Sequence, residues 1–367
     1  MKLISKVDND PRNISYKLRD ITIPTRFFLA PINTGFSFNG EPQSELITFH
    51  NERSGKGIGI SYVGNVSIEP QYVTNKNTSY FTESTSKWKE LTSVISEAGS
   101  IPGIQIACRN SSIVPVKRML NTKKEIYIQT VQEELKQLPK AELERIVSLF
   151  VHNAQFAYEV GFRVIQIHAA HGYFLSQMLN KELNVRDDEF GTNKLKMISM
   201  IINGIREILP SDLILDVRIS LIDGLISEES ELAYKNLLIN QLVELDIDMI
   251  SFSNGIYDVN KQLIYPLKNW GHGVFIKKIA PFAERYPHII WNASGNIWDI
   301  DELDLEKQPQ NLSFSIGRAL IADPSFITKS LSGHKLSINH CERKNQCHYY
   351  SLGKENITCP IYEASRN

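Results

Sequence analysis

Short apolar runs recur along the chain, and amphipathic stretches separate them. Eight such runs are present, at 27–31, 57–63, 101–107, 163–168, 213–220, 246–253, 288–293 and 311–317. Runs without polar alternation are typical of parallel strands, because helices cover both faces of a parallel sheet. The pattern therefore predicts eight parallel strands.

Helices are predicted between these runs. The clearest is 140–160, where Leu143, Ile146, Phe150, Ala154 and Ala157 keep a helical period and Gly161 follows at the expected end. The same pattern is found at 84–98, 194–208, 229–244 and 318–331. Two further segments, 109–139 and 172–192, are interpreted as insertions.

Alternation of strands and helices predicts an α/β fold with a parallel sheet. Eight units favour a closed (β/α)8 TIM barrel over an open doubly wound sheet. We predict one barrel domain over residues 1–335 and a Cys-containing tail over 336–367 that packs on it. In such a barrel, catalytic groups lie at the C-terminal ends of the strands.

Charge and composition argue against two classes of protein, those that bind nucleic acid and those that span a membrane. The chain has 40 basic and 41 acidic residues, so it lacks the positive excess typical of nucleic-acid binding. No apolar run approaches the ~20 residues that cross a bilayer, and the N-terminus carries charges where a signal peptide is apolar. We expect a cytoplasmic protein that binds neither nucleic acid nor membrane. The composition leaves a homo-oligomer open.

The densest group of polar rings follows the fourth run, at His168, His171 and Tyr173. Two imidazole N–H groups can hold an oxygen that gains negative charge, and a tyrosine hydroxyl can act as a general acid. Two alternatives stay open: the histidines are zinc ligands, or all three side chains are structural.

Candidate ligand contacts lie in four other strands. Gly295, Gly317 and Arg318 follow the seventh and eighth runs, where barrels often bind phosphate. Arg218 lies inside the fifth run, so it forms an internal ion pair or faces an electron-rich ligand. Gln105, in the third run, can both donate and accept a hydrogen bond, as a flavin edge requires.

Three cysteines in the tail, Cys341, Cys347 and Cys359, could bind a metal ion together with His340 or His348. A four-iron cluster normally needs four thiolates, and Cys108 lies far away in the sequence. Free thiols and no bound metal are therefore expected.

Several of these motifs resemble the Old Yellow Enzyme (NADH:flavin oxidoreductase) family. The specific block is the His168-Ala-Ala-His171-Gly-Tyr173 motif with the Asn-x-Arg-x-Asp-x-Phe-Gly pattern at 184–191. Further matches follow in family order at 29–31, Gln105, 218–220 and 316–324, so that the resemblance covers about 20–330.

The resemblance implies an FMN-dependent enzyme that carries hydride from NADH or NADPH to an activated C=C bond of a small unsaturated carbonyl or nitro compound. His168 and His171 would bind the substrate oxygen, and Tyr173 would protonate Cα. The flavin contacts implied by the resemblance are Ala30, Pro31, Asn33, Gly64, Gln105, Arg218, Gly295, Gly317 and Arg318.

The sequence departs from the family pattern at three places. Asn33 stands where members usually have Thr or Cys beside the flavin, and Cys108-Arg109 replaces the usual His that precedes Gly-Arg. The cysteine that dienoyl-CoA reductases have between Cys341 and Cys347 is missing. We therefore expect a barrel without the iron–sulfur cluster and NAD domain of that branch.

Three other functions remain as alternatives. The first is another FMN barrel, such as a hydroxy-acid oxidase or dihydroorotate dehydrogenase, although these place their catalytic base in a different loop. The second is a flavin-binding barrel with weak or lost reductase activity. The third is a zinc hydrolase, which would contain metal and be colourless.

Overall fold

Eight parallel strands close into a barrel in the computed structural model, which describes residues 2–4, 12, 14–109 and 122–365. In chain order the strands are β1 Phe27–Ile32, β2 Ile60–Ser67, β3 Ile101–Ala107, β4 Val164–Ala169, β5 Ile214–Ser220, β6 Met249–Ser253, β7 Ile290–Ser294 and β8 Leu312–Ile316. Each pairs with the next, and β8 pairs with β1. The predicted TIM barrel is confirmed.

Helices surround the strands. The long ones are Ser44–Arg53, Ser86–Glu97, Lys124–Gln137, Lys140–Glu159, Lys196–Ile208, Glu228–Leu242 and Ile276–Arg285. Short α-helices are Phe174–Leu179, Glu189–Thr192, Lys261–Ile264, Arg318–Ala322, Phe326–Leu331 and Pro360–Ala364. Single 3-10 turns are Pro70–Tyr72, Lys268–Trp270, Asp301–Leu303, Lys335–Ser337 and Tyr349–Leu352. No helix within the described ranges is long and apolar enough to cross a membrane.

The single helix predicted over 318–331 is wrong, because two helices occupy it, Arg318–Ala322 and Phe326–Leu331. Pro324 lies between them. Proline lacks an N–H and moves the preceding residue out of the helical conformation, and Asp323 indeed has an extended backbone. The Asp323 carboxylate accepts a hydrogen bond from the Ser325 N–H, which starts the second helix.

Of the predicted insertion 109–139, residues 110–121 lie outside the described part of the chain.

Short strands close the N-terminal end of the barrel. Ser15–Leu18 and Ile21–Ile23 form an antiparallel hairpin, which Lys2–Ile4 extends to three strands. Buried Tyr16, Leu18 and Ile23 pack in one apolar cluster with the first residues of several barrel strands, among them Phe28 and Val164. Smaller pairings join Ser37–Phe38 to Glu41–Pro42, and Ser79–Tyr80 to β2. Because this apolar cluster fills the N-terminal end of the barrel, polar groups are found towards the opposite end.

A hydrogen-bond network occupies the middle of the barrel around Asp216, which is 0% exposed. Its Oδ2 accepts hydrogen bonds from Tyr62 Oη at 2.8 Å, Gln166 Nε2 at 2.6 Å and Ser251 Oγ at 2.7 Å. Burial raises the pKa of Asp216. Gln105 Nε2 in turn donates to Gln166 Oε1 at 2.6 Å. The network therefore fixes the orientation of the Gln105 amide.

Replacing Asp216 tests this network. Asp216→Asn keeps the volume but puts an N–H2 group among donors, so at least one buried group loses its partner. We expect the free energy of unfolding to fall by about 1–3 kcal/mol in urea denaturation. Asp187→Asn, at an exposed position, is the matched control and should change stability little. Equal stability of the two variants would contradict the network's role.

Candidate active site

A cavity of about 230 Å³ opens at the C-terminal ends of the strands. The twelve residues predicted for the site come from separate strands and loops. All of them except Gly64 line this cavity, namely Ala30, Pro31, Asn33, Gln105, His168, His171, Tyr173, Arg218, Gly295, Gly317 and Arg318. The closed barrel thus brings together residues that are far apart in the sequence.

Gly64 lies behind the cavity wall and lines a smaller neighbouring cavity. A Cβ atom at this position would be 2.9 Å from the Cβ of Gln105 and 3.3 Å from that of Pro31. Its missing side chain allows these two cavity residues to pack closely. Gly64 therefore contributes to the shape of the wall.

The two histidines contact each other at the end of β4. His171 Nδ1 and His168 Nε2 are 3.3 Å apart, and the His171 backbone is left-handed, with φ 64°. Such a conformation is uncommon for a residue other than glycine and needs support. Ser220 Oγ accepts a hydrogen bond from the His171 N–H at 3.0 Å, and Ser253 Oγ lies 2.6 Å from His171 Nε2. Serines at the ends of β5 and β6 thus hold the ring in place.

Both histidines are neutral near neutral pH. Burial is the main cause that lowers the pKa of each ring well below 6.5, and the positive charge of Arg218 lowers it further. A neutral imidazole has one N–H donor and one acceptor. The buried Nδ1 of His168 has no hydrogen-bond partner among the described residues. Its Nε2 lies on the side of His171.

Tyr173 lies against the His168 ring, with 4.6 Å between centroids. Its hydroxyl is 3.0 Å from Thr74 Oγ1, which also accepts a hydrogen bond from Asn65 Nδ2 at 2.9 Å. The guanidinium carbon of Arg109 lies 5.0 Å from the Tyr173 ring centroid, and Arg109 pairs with Asp258 at 2.7 Å. Sequence reasoning missed Thr74, which follows β2 in a loop without a recognisable motif.

Arg218 faces the cavity from β5. The internal ion pair considered from the sequence is not found among the described residues, and the buried Arg218 Nε has no hydrogen-bond partner there. Burial is the main cause of a lowered pKa for this guanidinium, while Asp216, two residues earlier on the same strand, opposes it. An unpartnered buried cation calls for an electron-rich ligand.

Two glycines, Gly295 and Gly317, shape the part of the cavity wall that follows β7 and β8. Gly295 has φ +123°, and a Cβ there would lie 2.8 Å from Cδ2 of Phe275. Around Gly317 the nearest atom to a built Cβ is Ala30 Cβ at 3.8 Å, so the backbone here borders open space. This opening allows a ligand to approach the main chain closely.

Arg318 donates three hydrogen bonds to protein acceptors. Nη2 donates to Asn296 Oδ1 at 2.8 Å and to the Pro266 carbonyl at 3.0 Å, and Nη1 donates to Asn345 Oδ1 at 3.0 Å. Burial is the main cause that lowers its pKa. Arg318 therefore joins the loop after β7 to the tail.

The tail contributes cavity residues that the sequence did not predict, because only its cysteines and two histidines were considered as candidate ligands there. Tyr349 Oη donates to Asn33 Oδ1 at 2.8 Å and accepts from Asn75 Nδ2 at 3.0 Å. The amide of Asn33 also donates to Thr78 Oγ1 at 3.0 Å and Asn65 Oδ1 at 3.3 Å. The side chain of Asn33 is thus already bound by protein groups.

All four cysteines are free thiols. Burial raises the pKa of Cys347 to about 11, so this thiol is protonated at neutral pH. The pKa of Cys359 is also raised, with burial as the main cause. No group of three His, Cys, Asp or Glu side chains within the described ranges is placed to hold a metal ion.

The cavity suits FMN. Three arginines, Arg218, Arg318 and Arg343, line it, whereas its described lining contains neither aspartate nor glutamate. Arg218 and the oriented amide of Gln105 line one part of it, and the open backbone at Gly317 borders another. An aromatic ring system with an attached phosphate matches this distribution of donors and positive charge.

Comparison with known proteins agrees with this site. The NADH:flavin oxidoreductase / NADH oxidase family model matches residues 16–336. The NADPH dehydrogenase of Geobacillus thermodenitrificans (strain NG80-2) is 30% identical over 244 residues, 64% of this chain and 67% of that protein. The NADH-dependent flavin oxidoreductase iliE of Hypocrea jecorina (strain QM6a) is 23% identical over 310 residues, 73% and 75% of the two chains.

Solved structures share the fold. A 2-naphthoyl-CoA reductase in complex with 2-naphthoyl-CoA matches with a TM-score of 0.81 at 17% identity, over 95% of this chain and 56% of that one. Histamine dehydrogenase from Rhizobium sp. 4-9 matches with a TM-score of 0.79 at 16% identity, over 96% and 52%. The chain spans about half the length of these two proteins.

The depressed histidine pKa values predict a pH dependence of stability. Below about pH 6.5 the unfolded chain protonates these rings while the folded protein keeps them neutral, so stability falls as pH decreases. Each ring contributes a slope of up to about 1.4 kcal/mol per pH unit. Urea denaturation between about pH 7.5 and 5 should show a smaller slope for the double variant His168→Asn/His171→Asn.

His152→Asn provides the control for this measurement, because His152 is exposed on the helix Lys140–Glu159. This variant should keep a steeper slope than the double variant. An identical slope in the wild type and the double variant would show that the two rings take up protons at the same pH in the folded protein and in the unfolded chain.

Proposed function

The chain belongs to the NADH:flavin oxidoreductase / NADH oxidase family, a group of FMN-dependent NAD(P)H oxidoreductases, and we propose that it reduces activated C=C bonds of small unsaturated carbonyl or nitro compounds. The observation that carries this proposal is the convergence of His168, His171 and Tyr173 in the cavity. Two neutral imidazoles and a phenol next to each other suit an oxygen that gains charge and a carbon that needs a proton.

The cavity would hold FMN, and the bound cofactor would supply the transfer of hydride from NADH or NADPH to Cβ of the substrate. Gln105 and Arg218 would hold its ring system, and Gly295, Gly317 and Arg318 its phosphate. The relatives named NADPH dehydrogenase support a nicotinamide electron donor.

The histidines would bind the substrate oxygen. At 3.3 Å, the contact between His171 Nδ1 and His168 Nε2 is longer than a strong hydrogen bond, so a substrate oxygen can replace it at low cost. Because both rings are neutral, each can donate one N–H. As negative charge develops on that oxygen, these hydrogen bonds strengthen and lower the barrier.

Tyr173 would supply the proton to Cα through its hydroxyl. Thr74 Oγ1, 3.0 Å away, keeps that hydroxyl oriented, and either group of this pair can donate. Once the proton has left, the Thr74 hydroxyl can rotate to donate to the phenolate oxygen. Thr74 is therefore a positioning residue for the proton transfer.

A second function, flavin binding with weak reductase activity, is favoured by one observation. Asn33 stands at the position that the family uses beside the flavin, and its side chain is bound to Tyr349 and Thr78. Steady NADPH consumption with 2-cyclohexenone separates the two proposals. Slow consumption despite full flavin reduction would favour the second.

Replacing Tyr173 tests the proton donor. The flavin absorption band should bleach with anaerobic NADPH in both wild type and Tyr173→Phe. Its recovery on addition of 2-cyclohexenone should be slower by about 10²–10⁴-fold in the variant, since the general acid is lost. Tyr265→Phe, which changes another cavity tyrosine, is the control. If bleaching and recovery slow together, Tyr173 does not donate the proton.

Replacing Thr74 tests the positioning role. Thr74→Val removes the hydroxyl and keeps the shape, so flavin recovery with 2-cyclohexenone should slow by about 10–100-fold, the effect of one hydrogen bond to a charged group. Thr74→Ser should restore most of the rate. Stopped-flow absorbance measures both variants. Equal rates for Val and Ser would remove Thr74 from the proposal.

A further inference from the structure

Two arginines line the cavity beside the loop after β7. They are Arg318, which follows β8, and Arg343, which belongs to the tail. Arg318 donates to Asn345, only two residues beyond Arg343, so the two cations are neighbours. The described cavity lining contains no carboxylate to compensate them. Two adjacent positive charges are unfavourable unless an anion lies between or beside them.

Arg343 is held in place while its donors stay unused. Its guanidinium carbon lies 3.8 Å from the ring centroid of Trp298, which is supported at 4.8 Å by His272. Trp298 follows Gly295 by three residues in the loop after β7. Stacking fixes the plane of a guanidinium and leaves its N–H groups pointing outward. No hydrogen bond or ion pair of this guanidinium is found within the described ranges.

Arg318 alone is poorly suited to bind a phosphate. Of the five N–H donors of an arginine, three are already used on Asn296, Pro266 and Asn345. A phosphate monoester carries a charge of about −1.5 to −2 at neutral pH. It needs more donors and more positive charge than Arg318 has left, and Arg343 has both.

We propose that Arg343 binds the phosphate of FMN together with Arg318, so that the tail completes the cofactor site. This inference rests on the FMN cofactor of the proposed function. Burial, followed by the positive charge of Arg318, lowers the pKa of Arg343, while the charges of Cys341 and Glu302 oppose this shift. Neither group forms an ion pair with the guanidinium among the described residues.

The test compares two flavins that differ only in the phosphate. Wild type and Arg343→Gln are stripped of flavin and titrated with FMN and with riboflavin, with flavin fluorescence as the readout. In the variant the Kd for FMN should rise by about 10–100-fold, as expected for the loss of a charge-assisted contact. The Kd for riboflavin should stay unchanged.

Two further variants sharpen this test. Lys344→Gln removes a neighbouring positive charge that pairs with Glu342 and is exposed, so it should leave both Kd values unchanged. Arg343→Lys keeps the charge but loses the planar donor array, so it should recover only part of the affinity for FMN.

The opposing outcomes are distinct. Unchanged FMN affinity in Arg343→Gln would overturn the inference, and so would an equal loss for FMN and riboflavin, which indicates a disturbed tail. A higher KM for NADPH with unchanged FMN affinity would also overturn it. In each case saturating FMN and 2-cyclohexenone still report on the proposed reductase. Failure of the wild type to bind either flavin would contradict the proposed function instead.

Discussion

The geometry of the cavity depends on a single buried carboxylate, that of Asp216. Three donors converge on its Oδ2, and one of them, Gln166, passes the orientation on to Gln105. Burying a carboxylate is costly, and the hydrogen bonds offset that cost only while all of them are formed. Arg218 lies two residues further along the same strand, so it points to the same interior face, one layer higher. A polar layer in the barrel thus supports the layer that meets the ligand.

The two ends of the barrel differ in polarity. The hairpin with Tyr16 and Ile23 fills one end with apolar side chains. At the other end, serines at the strand termini hold His171 in a left-handed conformation that its own backbone would not favour. The surrounding strands stabilise this unfavourable backbone conformation, so that the loop can hold the His171 imidazole in the cavity.

The sequence predicted those features that depend on residues close to each other along the chain. Each buried strand is an apolar run, and a buried Arg218 or Gln105 inside such a run already called for a partner. Pro324 also marks the end of the first of the two helices in 318–331. The apolar period across this segment nevertheless led to the prediction of one helix. By contrast, no local pattern connects Asn33 with Tyr349 or Tyr173 with Thr74, because these pairs meet only through barrel closure. The role of the tail in the cavity could not be predicted for the same reason.

The contact between Tyr349 and Asn33 joins residues that are 316 positions apart. Because the chain is synthesised from its N-terminus, Asn33 leaves the ribosome long before Tyr349. During synthesis, the eight strands can leave the ribosome and pair before the tail is available. A nascent chain at that stage has the histidine pair and the glycine loops but an open cavity wall. Completion of the wall therefore follows closure of the barrel, and the ligand site is whole only once the tail has joined it.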